Sequence, residues 1–154
     1  MAKKRILENS GTINGNATAN GDATVTPRLD NSGIINGDAT ASTGDLKNTG
    51  SIKGNAEATL AALSNEGAGT ITGNAKAGTT LSNTSTDKTT GIGGKADSGT
   101  TLTNSGTIKG NATAVTDLTN SKDGFIGSTS SNTIIAGGTL KSLETVTGDA
   151  CIKT

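Results

Sequence analysis

A short sequence pattern recurs eight times along this chain in the same register. One copy, Lys47 to Ala58, reads KNTGSIKGNAEA, and another, Thr103 to Ala114, reads TNSGTIKGNATA. The shared pattern is Leu-x-Asn, a gap of 3 to 8 residues, and then Ile-x-Gly-Asn-Ala-x-Ala. Successive copies begin 16 to 22 residues apart. This period is much shorter than that of helical repeats and is typical of one coil of a parallel β-helix.

Within each copy the recurring residues alternate, which is the periodicity of a β-strand with every second side chain facing inward. The density of Gly, Asn, Thr and Ser, without an apolar stripe of period 3.6, argues against helices. We expect stacked columns of Leu, Ile and Ala to form the core. The clearest members of these core columns are Leu29, Leu46, Leu102, Ile13, Ile35, Ile52, Ile108, Ala39 and Ala112.

A polar column is expected inside this core, two residues after each Leu. Stacked Asn side chains can hydrogen bond to one another along such a column. The clearest members of this ladder are Asn31, Asn48, Asn65 and Asn104. The seventh copy matches the pattern less closely, and there we place Phe125 in the Ile column and Thr129 and Ser131 in the two Ala columns.

Glycines predict the corners of each coil. Pairs such as Ser32-Gly33 are expected to turn the chain through a positive φ at glycine. A second glycine, two residues after each Ile, is expected to mark a bend. The clearest members of this second group are Gly15, Gly37, Gly54 and Gly110.

The residue after that second glycine is Asn or Asp in most copies, as at Asn16 and Asp38. A ladder of calcium ligands would need oxygen-bearing side chains throughout, and Lys95 interrupts the column. We therefore favour a turn-forming role, because Asn tolerates a left-handed backbone.

These patterns predict an all-β chain, a single right-handed parallel β-helix (β-solenoid) of about eight coils. The predicted solenoid covers residues 7–154, and residues 1–6 form a basic N-terminal extension. Coils spaced about 4.8 Å apart give a rod about 38 Å long. Hydrophobic residues make up only 30% of the chain and aromatic residues 1%, so the core is thin and needs several stacked coils for stability.

Three irregular stretches are expected to bulge from the solenoid. They are the Gly21–Pro27 stretch before Leu29, the Thr84–Thr90 stretch and the Asn132–Thr139 stretch. Loops on a rigid scaffold often carry binding specificity, so these stretches are the candidate places for it. The alternative is tolerated drift in loop length.

Composition argues against several function classes. The chain has no His, and its acidic residues are scattered, so we expect no enzyme, no metal site and no cofactor. Thirteen Lys and Arg balance thirteen Asp and Glu, and aromatic platforms are lacking, so nucleic acid is not an expected partner. No apolar run is long enough for a membrane-spanning helix. The lone Cys151 is expected to point outward as a free thiol.

The repeat runs from the first residues to the last without a recognisable cap. Open ends of one rod are complementary head to tail, and such a contact extends into a filament. The expected partner is therefore a second copy of the chain. Two alternatives remain: Lys3, Lys4 and Arg5 could block one end as charged gatekeepers, or the chain could be a fragment of a longer protein.

The unit Leu-x-Asn-Ser-Gly-x-Ile-x-Gly, best seen in Leu102 to Gly110, resembles the short repeats of filamentous haemagglutinin-type and autotransporter adhesins. That resemblance implies a right-handed β-helix shaft at the cell surface or outside the cell, with host-surface or matrix glycans as further partners. These proteins usually carry export signals, whereas the N-terminus here has a basic start without an apolar segment.

A second, fainter resemblance rests on the unit Ile-x-Gly-[Asn/Asp]-Ala-x-Ala, which is similar to the coils of bactofilins. It implies a cytoplasmic scaffold filament. A third interpretation is a monomeric rod that binds ice or a glycan, although the outward positions mix charges with Thr and give no regular Thr face. The sequence thus predicts a structural self-assembling protein, with these two alternatives.

Overall fold

The computed structural model describes residues 5–21, 27–129, 132–142 and 145–152. In these residues all regular elements are β-strands, and neighbouring strands run parallel. The chain passes eight times along the same path, so the predicted all-β parallel β-solenoid of about eight coils is confirmed. Its right-handedness stays a prediction.

The first strand of each coil belongs to an eight-stranded sheet, called here the leucine sheet. Its strands are Ile6–Asn9, Arg28–Asn31, Leu46–Asn48, Leu63–Gly67, Leu81–Ser85, Leu102–Asn104, Leu118–Asn120 and Leu140–Ser142. Leucines of successive coils pair in register, as Leu46 does with Leu63. Leu and Asn are buried while the residue between them faces outward, because side chains alternate along a strand.

In six of the eight coils the second pass of the chain forms a strand of only two residues. These strands are Thr12–Ile13, Ile34–Ile35, Ser51–Ile52, Thr70–Ile71, Thr107–Ile108 and Phe125–Ile126. Ile92 links the two groups of strands through single bridges to Ile71 and Ile108. We call this face the isoleucine sheet.

The third strand of each coil belongs to a second eight-stranded sheet, called here the alanine sheet. Its strands are Ala17–Ala19, Ala39–Ala41, Ala56–Ala58, Ala75–Ala77, Ala96–Ser98, Ala112–Ala114, Thr133–Ala136 and Asp149–Ile152. The inner residues of its middle strands are buried, as Ala56 and Ala58 are. Small side chains here keep the cross-section thin.

The core is a continuous stack of these columns. Leu63 and Ile71 have no exposed surface, and burying each such side chain contributes about 1.5–3 kcal/mol. In the first coil Leu7 and Ile13 are only partly buried, and in the last coil Leu140 and Val146 are too. Each coil therefore depends on its neighbours to cover its apolar side chains.

Glycines are required here by close approach between coils and not by the positive φ expected at the Ser-Gly corners. The described glycines with positive φ are Gly67, Gly91, Gly127 and Gly148, and Gly33 is not among them. A Cβ atom on Gly33 would lie 2.8 Å from the backbone nitrogen of Gly11 in the preceding coil. Any side chain at such a corner would push the stacked coils apart.

The seventh coil corrects three predicted positions. Ile126, not Phe125, pairs with Ile108 in the isoleucine column, and Phe125 faces outward beside Thr107. The alanine columns continue through Ile134 and Ala136. Thr129 is exposed, and Ser131 lies outside the described residues. The two alanine positions were misplaced because the chain inserts residues after the glycine, where spacing in the other copies is constant.

The irregular stretches also differ from expectation. Residues 133–136 form a strand of the alanine sheet, so the Asn132–Thr139 stretch does not bulge as a loop. The leucine strand of the fifth coil continues to Ser85, which is buried, so the expected bulge begins only after it. Most of the Gly21–Pro27 stretch lies outside the described residues. The buried Ile134 and Ser85 explain both corrections, because each fills a core position.

No helix in the described part of the chain has the length and apolar character needed to cross a membrane.

Candidate functional site

A ladder of side-chain amides runs through the interior beside the leucine column. The Nδ2 of each Asn donates to the Oδ1 of the Asn one coil further on, over distances of 2.7 to 3.0 Å. Its members are Asn9, Asn31, Asn48, Asn65, Asn83, Asn104 and Asn120. Because an unpaired buried amide is costly, this ladder fixes the register of every coil on the next.

Each amide also holds a corner of the coil. Asn48 Nδ2 donates to Gly50 O and to Thr70 O, each at 3.1 Å. All the amides point the same way, with donors directed toward the C-terminal coil, so the ladder is polar. At that end Asn120 Nδ2 lies 3.5 Å from Ser142 Oγ.

A second ladder runs along the outside, after the second glycine of each coil. Asn16 Oδ1 accepts a 2.9 Å hydrogen bond from the backbone nitrogen of Asp38, and Asp38 Oδ1 accepts one of 2.7 Å from that of Asn55. The series continues to Asn74 and Lys95. These side chains therefore join neighbouring coils through their oxygens.

The left-handed backbone predicted for this outer column is wrong. Among the described residues, the only one besides glycine with a positive φ is Asp123, which lies elsewhere. The described residues include no group of three or more His, Cys, Asp or Glu arranged to hold a metal ion. The sequence already showed an oxygen-bearing side chain after most of the second glycines. It did not show that these oxygens accept hydrogen bonds from the backbone of the next coil.

The predicted bend glycines lie at the corner between the isoleucine and alanine sheets. A Cβ atom on Gly37 would lie 2.8 Å from the carbonyl carbon of Gly15. A Cβ atom on Gly54 would overlap the backbone of Gly37 in the same way, and one on Gly110 would overlap that of Gly94. Gly15 differs, because no described atom lies within 4 Å of the position its Cβ would take.

The N-terminal end of the rod exposes one open edge of all three sheets. Ile6 is 42% exposed, and Leu7 and Ile13 are half-buried. Glu8 is exposed in the outward row of the leucine sheet, directly beside Asp30. Arg5 is exposed, and the other two predicted gatekeepers, Lys3 and Lys4, lie outside the described residues.

The C-terminal end exposes the opposite edge. Ile152 is 54% exposed, and Leu140 and Val146 are half-buried. Lys141 is exposed in the same outward row as Glu8, next to Thr119. Cys151 is a free, exposed thiol on the alanine sheet beside Ile135.

Charged side chains elsewhere on the faces pair between or within coils. Arg28 donates to Asp30, and this hydrogen bond raises the pKa of Arg28 above its ordinary value. Lys47 pairs with Glu66 at 2.9 Å across neighbouring coils of the leucine sheet. These partly exposed surface pairs are each worth about 0–1 kcal/mol, so they contribute little to the stability of the fold.

A groove of about 530 Å³ lies on the outer surface where the fifth, sixth and seventh coils meet. Its lining residues are Lys88, Thr89, Thr107, Lys109, Asp123, Phe125 and Ser128. Lys88 Nζ donates to Asp123 O at 3.2 Å, and Thr107 Oγ1 donates to Lys88 O at 2.9 Å. The stretch after Ser85 is thus attached across two further coils.

Comparisons of this chain with protein-family models, with curated proteins and with solved structures find no significant match.

Proposed function

We propose that this protein is a structural subunit that assembles head to tail into a continuous β-solenoid rod. The observation that carries the proposal is the identical spacing of the first and last coils. Leu7, Ile13, Ala17 and Ala19 are separated by six, four and two residues. Leu140, Val146, Ala150 and Ile152 are separated by the same intervals.

The interval of six residues between the Leu and Ile columns is also that of the second, third and sixth coils. In the fourth coil eight residues separate Leu63 from Ile71, and in the fifth eleven separate Leu81 from Ile92. Neighbouring coils of unequal spacing still stack in register, as Leu46 does on Leu63 and Ile52 on Ile71, so their extra residues are accommodated at the corner. The two end coils have equal spacing and need no such adjustment to align all three sheets.

Burial supports the same conclusion. The partly exposed Leu7, Ile13, Leu140 and Val146 belong to columns that are completely buried in the middle of the rod. Stacking a second copy would cover both open edges and remove this apolar surface from water, at about 25 cal/mol per Å². A contact of this kind joins two different surfaces, so it extends without closing.

Sedimentation velocity of the whole chain across a range of concentrations tests this proposal. We expect a broad, concentration-dependent population much larger than the 15.0 kDa monomer. A single species of monomer size at all concentrations, with a β-type circular dichroism spectrum, would contradict it.

The groove between the fifth and seventh coils supports a second candidate, a rod that binds a glycan. Phe125 faces outward from the isoleucine sheet, next to Thr107. It lines the groove together with Lys88 and Lys109. An aromatic ring beside amino groups suits the apolar face and hydroxyl groups of a sugar. Binding of an oligosaccharide by a monomeric sample, lost on Phe125→Thr, would favour this candidate.

The adhesin-like role and the location at the cell surface rest on the resemblance of the repeat alone. The bactofilin-like alternative places the same rod in the cytoplasm. Both uses need the same polymer, so the test of assembly comes first. Immunogold labelling of intact and permeabilised cells then distinguishes the two locations.

A further inference from the structure

The first coil carries glycines that the isolated rod does not need. Gly15 has a negative or extended φ, and no described atom lies within 4 Å of where its Cβ would be. In the following coils the same column is crowded, since a Cβ on Gly37 or Gly54 would overlap the backbone of the preceding coil. Gly loses more backbone entropy on folding than Ala does, so a glycine at position 15 is expected where another coil lies before it, as at Gly37 and Gly54.

From this position we infer that Gly148 of the preceding copy packs beneath Gly15, in a junction with one defined register. The inference rests on the proposed head-to-tail assembly and specifies its contacts. In this register Leu140 and Val146 of the preceding copy stack on Leu7 and Ile13 of the following copy. The alanine columns of the two copies stack in the same way. As the occupant of the open N-terminal edge this register takes the C-terminal edge of a second copy, whose last coil has the same spacing as the first.

The outer charges fit this register. Lys141 and Glu8 occupy the same outward row of the leucine sheet, so the junction places Lys141 of one copy beside Glu8 of the next. Both side chains are exposed. Opposite charges on directly neighbouring strands attract, and like charges there repel.

The outer hydrogen-bonding ladder also continues across the junction. In the outer ladder each Asn or Asp oxygen accepts from the backbone nitrogen of the next coil, so Asp149 accepts from the backbone nitrogen of Asn16 of the following copy. The junction thereby preserves the polarity of the rod.

The first test is Gly15→Ala, with Gly37→Ala as the matched variant in the second coil. In Gly15→Ala, thermal unfolding of the monomer should be unchanged while the critical concentration for assembly rises at least about tenfold, because the new Cβ meets the preceding copy. Gly37→Ala should destabilise the monomer itself. Unimpaired assembly of Gly15→Ala would overturn the proposed register.

The second test reverses the charges, using Glu8→Lys and Lys141→Glu. Each variant alone places like charges at every junction, and we expect its critical concentration to rise about tenfold at low salt. An equimolar mixture restores an opposite pair at every junction between the two variants, so it should assemble as an alternating copolymer near the wild-type concentration. Salt at about 1 M should reduce the differences.

The outcomes separate the two proposals. Failure of the wild-type chain to assemble would contradict the proposed function. If the wild-type chain assembles but both single charge variants assemble equally well, or the mixture is no better than either alone, the register is wrong and the assembly stands.

Discussion

The side chain of Asn48 donates a 2.8 Å hydrogen bond to the side chain of Asn65, its counterpart in the next coil, and both residues are completely buried. Asn65 continues the series to Asn83 at 3.0 Å. The amide of a middle residue therefore has partners on both sides and also holds the backbone of its own corner. Such a ladder ties the coils together in a core that contains few large apolar side chains.

Replacing one middle residue of this ladder should strongly destabilise the fold. In Asn65→Ala, Asn48 Nδ2 loses an acceptor and Asn83 Oδ1 loses a donor, and both remain buried. We expect a loss of about 2–4 kcal/mol in the free energy of unfolding. Urea denaturation followed by circular dichroism measures this loss.

Asn36→Ala is the matched control for that experiment. Asn36 also donates to an Asn of a neighbouring coil, Asn14 at 3.1 Å, but that hydrogen bond is exposed to water. We expect a change below about 0.5 kcal/mol. Equal losses of unfolding free energy in Asn65→Ala and Asn36→Ala would show that the inner ladder stabilises the fold no more than an exposed hydrogen bond does.

Ser98 offers the opposite test, a stabilising substitution. It occupies the alanine column between Ala77 and Ala114, it is 5% exposed, and its Oγ has no hydrogen-bond partner among the described residues. Ser98→Ala should stabilise the protein by about 1 kcal/mol, because a buried hydroxyl without a partner is removed. The reverse change, Ala77→Ser, should be destabilising, and melting temperatures of the two variants check both signs.

Asp87 should give the loop before Ile92 a dependence on acid pH. Its Oδ1 accepts hydrogen bonds from Thr89 N, Thr89 Oγ1 and Thr90 N, and these bonds lower its pKa below the ordinary value. A carboxylate whose pKa is lower in the folded state stabilises that state above its unfolded pKa of about 4. This contribution is lost as the pH falls through the lowered value.

The measurement for this prediction is the exchange rate and chemical shift of the Thr89 and Thr90 amides between about pH 6 and pH 2. We expect both amides to lose protection together below the ordinary Asp pKa while the core strands keep theirs. In Asp87→Ala they should be unprotected at all these pH values. Protection independent of both pH and Asp87 would contradict the role of this carboxylate.

An engineered cysteine can capture the junction between copies. Thr18 and Cys151 lie in the same outward row of the alanine sheet, in the first and last strands. Adjacent strands lie about 4.8 Å apart, within the Cα separation that a disulfide allows. Thr18→Cys should therefore form disulfide-linked chains with Cys151 of the preceding copy when an oxidant such as diamide is added.

Thr40→Cys is the control, because Thr40 lies one coil inward between Thr18 and Glu57 and cannot reach Cys151 of another copy. Gel electrophoresis without reductant should show a ladder of multimers for Thr18→Cys and at most dimers for Thr40→Cys. Equal cross-linking of both variants would indicate random contact.

The sequence was sufficient to predict the fold because the period-two alternation and the constant Leu, Asn, Ile and Ala columns occur in nearly every copy. It failed at Phe125 because Phe125 and Ile126 are both apolar, and only the pairing of Ile126 with Ile108 distinguishes them. It also gave the wrong reason for glycines such as Gly33. These glycines are required by contact with the preceding coil. Such a contact joins residues about twenty positions apart, so the neighbouring sequence does not reveal it.

The candidate junction was predicted only in outline. Uncapped repeats at both ends suggested head-to-tail contact, but the open space beneath Gly15, on its N-terminal side, follows only from the folded structure. The placement of Lys141 and Glu8 in one outward row likewise follows from strand pairing that had first to be established.

Electron microscopy of the purified whole chain in plain buffer can show the stacked rod itself. We expect uniform unbranched rods with a layer repeat near 4.8 Å and a subunit repeat of about 38 Å, the length of eight coils. Dispersed particles of monomer size at every concentration, or fibres without the subunit repeat, would contradict head-to-tail stacking of an intact eight-coil solenoid.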